Sequence, residues 1–93
     1  MILPNEINIL GHKYKIVQVD DMENLGTCNT NDCIITLNMS QSDSQLLDTL
    51  LHEIIEAFNI HLEMKLKHRN IQALGACFHQ VFNENPEIVK LFA

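Results

Sequence analysis

Within Thr49-Leu50-Leu51-His52-Glu53-Ile54-Ile55-Glu56-Ala57, one imidazole and two carboxylates interrupt an apolar run. Neutral imidazole nitrogen and carboxylate oxygen are both ligands for a borderline divalent ion such as zinc. The zinc-binding helix motif H-E-x-x-H works by spacing. Residues i and i+4 share one helical face, about 6 Å apart along the axis at ~1.5 Å rise per residue, and the intervening Glu acts on a water at the metal. Here the fifth position is Glu56. His52 and Glu56 still share a face and can converge on one ion. Glu53, rotated about 100° from its neighbour, borders that face and can lean toward the same pocket. A His-Glu-x-x-Glu string also arises by chance on amphipathic helices, where its acids are simply a solvated face.

The surrounding residues predict how these groups are positioned. Ser42-Asp43-Ser44-Gln45 has the S-x-x-Q form of a capping box, and Asp43 favours the exposed N–H groups of a first turn, so a long helix starts here. Leu47, Leu50, Leu51, Ile54, Phe58 and Leu62 recur at spacings of three and four and carry the helix to about Leu62, with Ile55 and Ile60 widening the stripe. Against it runs a polar line, Asp48, His52, Glu56, Asn59 and Glu63. A polar connection over 63–70 leads into a second helix whose stripe is Ile71, Leu74, Phe78, Val81 and Phe82, giving an antiparallel helical hairpin. Gly75, inside that helix, costs up to ~1 kcal/mol relative to Ala and so marks a close approach to the first helix or the sheet. Asn85-Pro86 starts a third helix running to about Phe92, with Ile88, Leu91 and Phe92 expected to close the open end of the core.

Ahead of the helices, residues 7–10 and 14–19 are β-branched or aromatic with partial alternation, separated by Gly11-His12-Lys13, a hairpin signal. His12 in that turn reads as solvated. Residues 25–28 and 33–37 form a second hairpin around Asn29-Thr30-Asn31-Asp32, with Cys28 and Cys33 flanking the turn as small apolar residues at strand ends. The expected fold class is therefore α+β: a small N-terminal antiparallel sheet of two hairpins, then the long motif-bearing helix, a second antiparallel helix and a short C-terminal helix.

Ninety-three residues, 46% of them hydrophobic and 19% charged, suit one globular domain over 1–93 and leave no room for a second core. Twelve acids against six bases give a net charge of −6, which repels phosphate backbones and argues against nucleic acid as a partner. The one basic cluster, Lys65, Lys67, His68 and Arg69, reads as a solvated turn. Three cysteines, an odd number, argue against a disulfide framework and for a reducing compartment. No apolar segment approaches membrane-spanning length and no basic-then-apolar leader opens the chain, so the expectation is a cytoplasmic protein without a membrane partner. The sequence sets no oligomeric state.

The order of short hairpins, a capped helix carrying Leu-Leu-His52-Glu53-Ile54-Ile55-x-Ala57, a helix ending His79-Gln80-Val81-Phe82-Asn83-Glu84-Asn85-Pro86 and a terminal apolar turn resembles short phage-encoded zincin-like metallopeptidases of gluzincin type. Members usually read H-E-I-I-H-A and carry an acidic third ligand on the following helix, a position that aligns near Gln72. Glu56 replaces the second His and Gln72 the acid. His68, one turn before Gln72 on the same face, supplies a replacement imidazole if the second helix extends that far. The resemblance implies a zinc site, open to other divalent metals, made of His52, Glu56 and His68, with Glu53 as the catalytic base and a peptide or protein as substrate, lying along the sheet edge. It equally implies an alternative: a catalytically inactive protein of the same fold, binding or inhibiting a host protein in the host cytoplasm. His61 lies off the His52–Glu56 line and His79 two turns beyond Gln72, so both read as surface or packing histidines.

Overall fold

In the computed structural model of residues 1–93, strand β1 (Glu6–Ile9) turns through Leu10 and Gly11 into β2 (His12–Val19). Both turn residues lie in the left-handed region, with φ of 53° and 84°. A two-residue hairpin loop needs that backbone because its twist then matches the strands it joins. The turn is thus one residue earlier and tighter than Gly11-His12-Lys13, and His12 belongs to the strand. A second hairpin joins β3 (Gly26–Asn29) to β4 (Ile34–Asn38). The expected sheet of two antiparallel hairpins is present, and the hairpins meet through a parallel pair, β2 with β4, in the order β1-β2-β4-β3. Composition explains the order. Apolar β4, with Ile34, Ile35 and Leu37, gains most from a central place, whereas Gly26-Thr27-Cys28-Asn29 suits an edge.

Of the two alternating sets in β2, Tyr14 and Ile16 are the buried one. With Ile35 and Leu37 they face Leu46 and Ala57 of helix α1 (Asp43–His61). Ser42 caps that helix as its sequence predicts, its Oγ accepting from the Gln45 N–H at 3.2 Å. Leu46, Thr49, Glu53 and Ala57 recur at helical spacing and are all buried. Glu53 is therefore turned inward, leaning toward the pocket as its place beside the His52–Glu56 face allows rather than lying on a solvated face. Leu50, Ile54 and Phe58 of the expected stripe pack partly against the core, while Ile60 and Leu62, near the end of the helix, are exposed.

Helix α2 (His68–Glu84) returns along α1 and starts at His68, so the third candidate ligand is helical. A Cβ on Gly75 would lie 3.3 Å from the His52 backbone nitrogen and 3.5 Å from the Asp48 carbonyl oxygen, so the close approach is to the main chain of α1. Ile71 and Gly75 are the only buried residues of α2. Its remaining stripe, Leu74, Phe78, Val81 and Phe82, is 39–45% exposed. In α3 (Pro86–Lys90) and beyond it, Ile88, Leu91 and Phe92 are also exposed and do not close the core. Helix α2 packs on α1 with only Ile71 and Gly75 fully buried, and no element of the chain lies over its outer side. No helix is long and apolar enough to cross a membrane.

Candidate metal centre

Three side chains from two helices converge. One ligand atom each from His52, Glu56 and His68 lie within 4.8 Å of one another. His52 Nε2 and Glu56 Oε2, one turn apart on α1, are separated by 3.9 Å. The imidazoles of His52 and His68 have centroids 4.8 Å apart and are tilted by 59°, so they are not stacked. Two features place His68. Gly75 allows α2 to come within main-chain contact of α1 at His52. Asn59, on the same polar line of α1, holds the connection: its Oδ1 accepts from the Leu66 N–H at 2.8 Å and its Nδ2 donates to the Leu66 carbonyl at 3.4 Å, two residues before His68. Glu63 and Lys65 turn that connection with φ of 51° and 59°.

The three residues line a cleft of about 550 Å³ whose other walls include Glu53, Asp48, Gln72 and the edge segment Asn24–Cys28. That segment is fixed by Asn38, whose Nδ2 donates to the carbonyls of Met22 and Asn24, and by Gln41, whose Nε2 donates to that of Leu25. Gly26 faces α1 so closely that a Cβ would lie 2.7 Å from Thr49 Cγ2 and 3.2 Å from Glu53 Oε2. A side chain at position 26 would therefore collide with Thr49 and crowd the Glu53 carboxyl.

The electrostatics suit metal binding and proton transfer. Glu53 is only 6% exposed. Burial, and behind it the neighbouring Glu56, push its carboxyl from 4.5 up to about 7. Burial, followed by the nearby His68, holds His52 below its ordinary 6.5 against the opposing pull of Glu56. Its imidazole is thus largely neutral at pH 7, the form that ligates. Cys28 also lines the cleft, but burial, then Glu53 and Glu56, raise its thiol to about 11. It is a protonated thiol, a weak ligand, at neutral pH.

The remaining sequence candidates fall elsewhere. Gln72 lines the cleft, one turn after His68, but offers an amide rather than a carboxylate. His79 is tied to α1, its Nδ1 2.5 Å from Asp48 Oδ1. His61 and His12 form a second histidine pair. Their rings stack with centroids 4.3 Å apart and planes within 8°, and the Tyr14 hydroxyl shares a 2.6 Å hydrogen bond with His61 Nε2. His12 is exposed, in keeping with its reading as a solvated residue, and its ring also stacks on His61 of α1. The places of Gly26 and Cys28 in the cleft had one signal in the sequence: alternation along β3 puts both on the same face. Comparison of the chain with protein-family models, with curated proteins and with solved structures gives no match. Functional inference therefore rests on the site itself.

Proposed function

We propose that the protein is a small metal-dependent hydrolase of amide or peptide bonds, zincin-like in its site, with His52, Glu56 and His68 as ligands of a divalent ion, zinc foremost, and Glu53 as base. The observation that carries this reading is the approach of the three donor atoms to within 4.8 Å of one another, in the cleft that holds the buried Glu53. The donors fit zinc. Ligand distances of ~2.0–2.2 Å around a tetrahedral ion put donor atoms roughly 3.4 Å apart. The observed 3.9 Å between His52 and Glu56 needs a movement of about half an ångström, and a separation at the 4.8 Å limit of the set would need about 1.4 Å, within reach of side-chain rotation. Two nitrogens and one oxygen also leave one position open, as catalytic rather than structural sites do.

A divalent ion in this position supplies Lewis acidity that makes water a nucleophile near neutral pH. Glu53 handles the proton: a carboxylate oxygen takes it from the attacking water and returns it to the leaving nitrogen. A group titrating near 7 is suited to both transfers, and a bound cation would draw its value down and favour the base form. With His68 as the second imidazole, the set keeps two imidazoles and one carboxylate, the donor charge of a His2Glu catalytic zinc site. The test is metal analysis of tag-free protein followed by peptide hydrolysis with Glu53→Gln. About one equivalent of zinc in both proteins, with cleavage only in the unsubstituted one, is the expected result. Less than a tenth of an equivalent, with no gain in Tm on adding zinc, would sink the metal site.

The thin packing of α2 favours a second, non-catalytic reading, in which the ion is a staple between α1 and α2. Only Ile71 and Gly75 of α2 are buried, so an ion shared by His68 and the α1 ligands would supply what the core does not. Zinc raises Tm under both readings. Peptide cleavage that depends on Glu53 belongs only to the first.

A further inference from the structure

The apolar stripe of α2 does not end in solvent by accident of one residue. Leu74, Phe78, Val81 and Phe82 hold helical spacing and each is 39–45% exposed; Ile88 and Val89 of α3 are exposed to a similar degree, and Leu91 and Phe92 to 78% and 85%. Beside them runs a groove of about 490 Å³, lined by Leu47, Leu50 and Leu51 of α1, Phe82 of α2, and Pro86 and Val89 of α3. Taking ~200 Å² for a whole phenylalanine and somewhat less for each aliphatic side chain, the apolar surface left open here is on the order of 700 Å². That exceeds the ~300–600 Å² of the largest patch on a typical monomer. It approaches the ~800 Å² that each partner contributes to a standard stable interface.

The chemistry around the patch selects among occupants. A membrane surface attracts apolar helices whose borders are rich in Lys and Arg. Glu84 and Glu87 lie among these residues in the sequence, on a chain of net charge −6, which opposes that choice. A second copy fits, because the same face carries both halves of a contact. The protruding Leu91 and Phe92 can enter an apolar groove, and each copy has one. Lys90 lines that groove, and neither Lys90 nor Glu87 has an ion-pair partner within the chain. In a twofold contact residue i meets j and j meets i, so one lysine and one glutamate per copy give two opposed pairs.

We propose that the α2–α3 face and its groove are the interface of a twofold homodimer. The test is sedimentation equilibrium of the tag-free chain at micromolar concentrations. The expected mass is that of two chains of 10.7 kDa each. Phe82→Asp places a charge in the groove wall and should raise the dimer dissociation constant at least about 30-fold, the effect of losing one interface hot spot. Phe92→Asp should act in the same direction. At 85% exposure it has no part in the core, so it stays informative if Phe82→Asp fails to fold, which the far-UV circular dichroism spectrum of each variant reads directly. A chain that sediments at 10.7 kDa up to about 100 µM, some tenfold above weak micromolar association, would overturn the proposal whatever else the face binds. So would a dimer as tight in the folded variants as in the unsubstituted protein.

Discussion

The chain holds two histidine pairs of nearly equal separation and opposite character. His52 and His68 have ring centroids 4.8 Å apart, His12 and His61 4.3 Å. The first pair is tilted by 59° and shares its space with the Glu56 carboxylate; the second is stacked to within 8° and shares its space with a phenol. Flat stacking points the ring nitrogens of two imidazoles along parallel directions, away from a common point, whereas tilt with a carboxylate between them permits convergence. Two nearby histidines therefore do not make a metal site. A group that could hold an ion also needs convergent rings and a third, anionic donor, and only the pair in the cleft has both.

The largest effect expected on this contrast comes from the acid that only one pair possesses. Glu53→Gln should lower peptide hydrolysis roughly 10²–10⁴-fold, the range for a lost general base, while isothermal titration shows zinc binding unchanged. A simultaneous loss of zinc would instead make Glu53 a ligand. Next, His68→Ala should weaken zinc binding by more than the ~10–100-fold that removal of an outer partner costs, and His61→Ala should leave zinc affinity as it was. Equal losses in the two variants would erase the distinction between the pairs.

For the stacked pair the expected readout is stability. Tyr14 is fully buried, and burial holds its hydroxyl up at about 12, so it is neutral and needs a partner. His61→Ala removes that partner and should cost about 1–3 kcal/mol, seen as a lower midpoint in urea. A midpoint unchanged from the parent would mean that water replaces the imidazole without loss.

A pH series separates the cleft further. Folded Glu53 keeps its proton up to about 7, while the unfolded chain ionises from about 4.5. Its contribution to stability is thus fully present below pH 4.5 and disappears as the pH rises to 7, by on the order of 2 kcal/mol. Metal-free Glu53→Gln should lack this slope, and denaturant midpoints between pH 4.5 and 7.5 would reveal it if it persisted. Smallest is Asn59→Ala, which frees the Leu66 connection and should reduce zinc affinity by no more than about tenfold without touching the His12–His61 pair.

Much of this arrangement was legible in the residues. The Ser42 cap, the i and i+4 spacing of His52 and Glu56, and the place of His68 one turn before Gln72 are local properties, and a helix converts spacing into direction. Gly75 signalled contact because a glycine inside a helix needs a reason. What could not be read depends on which surfaces have something laid over them. The stripes of α2 and α3 have the period of buried helices, but periodicity does not say whether a cover exists, and within one chain none does. The parallel pairing of β2 with β4 and the stacking of His12 on His61 both join residues far apart in sequence. Alternation within a short window carries no record of such partners.

The absence of a side chain at Gly75 has a consequence for ion choice. The main chains of α1 and α2 approach closely there, so the spacing of the two helices beneath the His52–His68 pair is set by a backbone contact, and side-chain rotation sets the rest. Gly75→Ala would press a methyl group against the His52 amide and force the helices apart by a few tenths of an ångström. Calcium takes oxygen ligands at about 2.3–2.6 Å, whereas zinc sits about 2.0–2.2 Å from nitrogen and oxygen donors. A difference of that size is comparable to the displacement one methyl group imposes. In the proposed metal site, Gly75 would thus bear on the size of the ion without touching it.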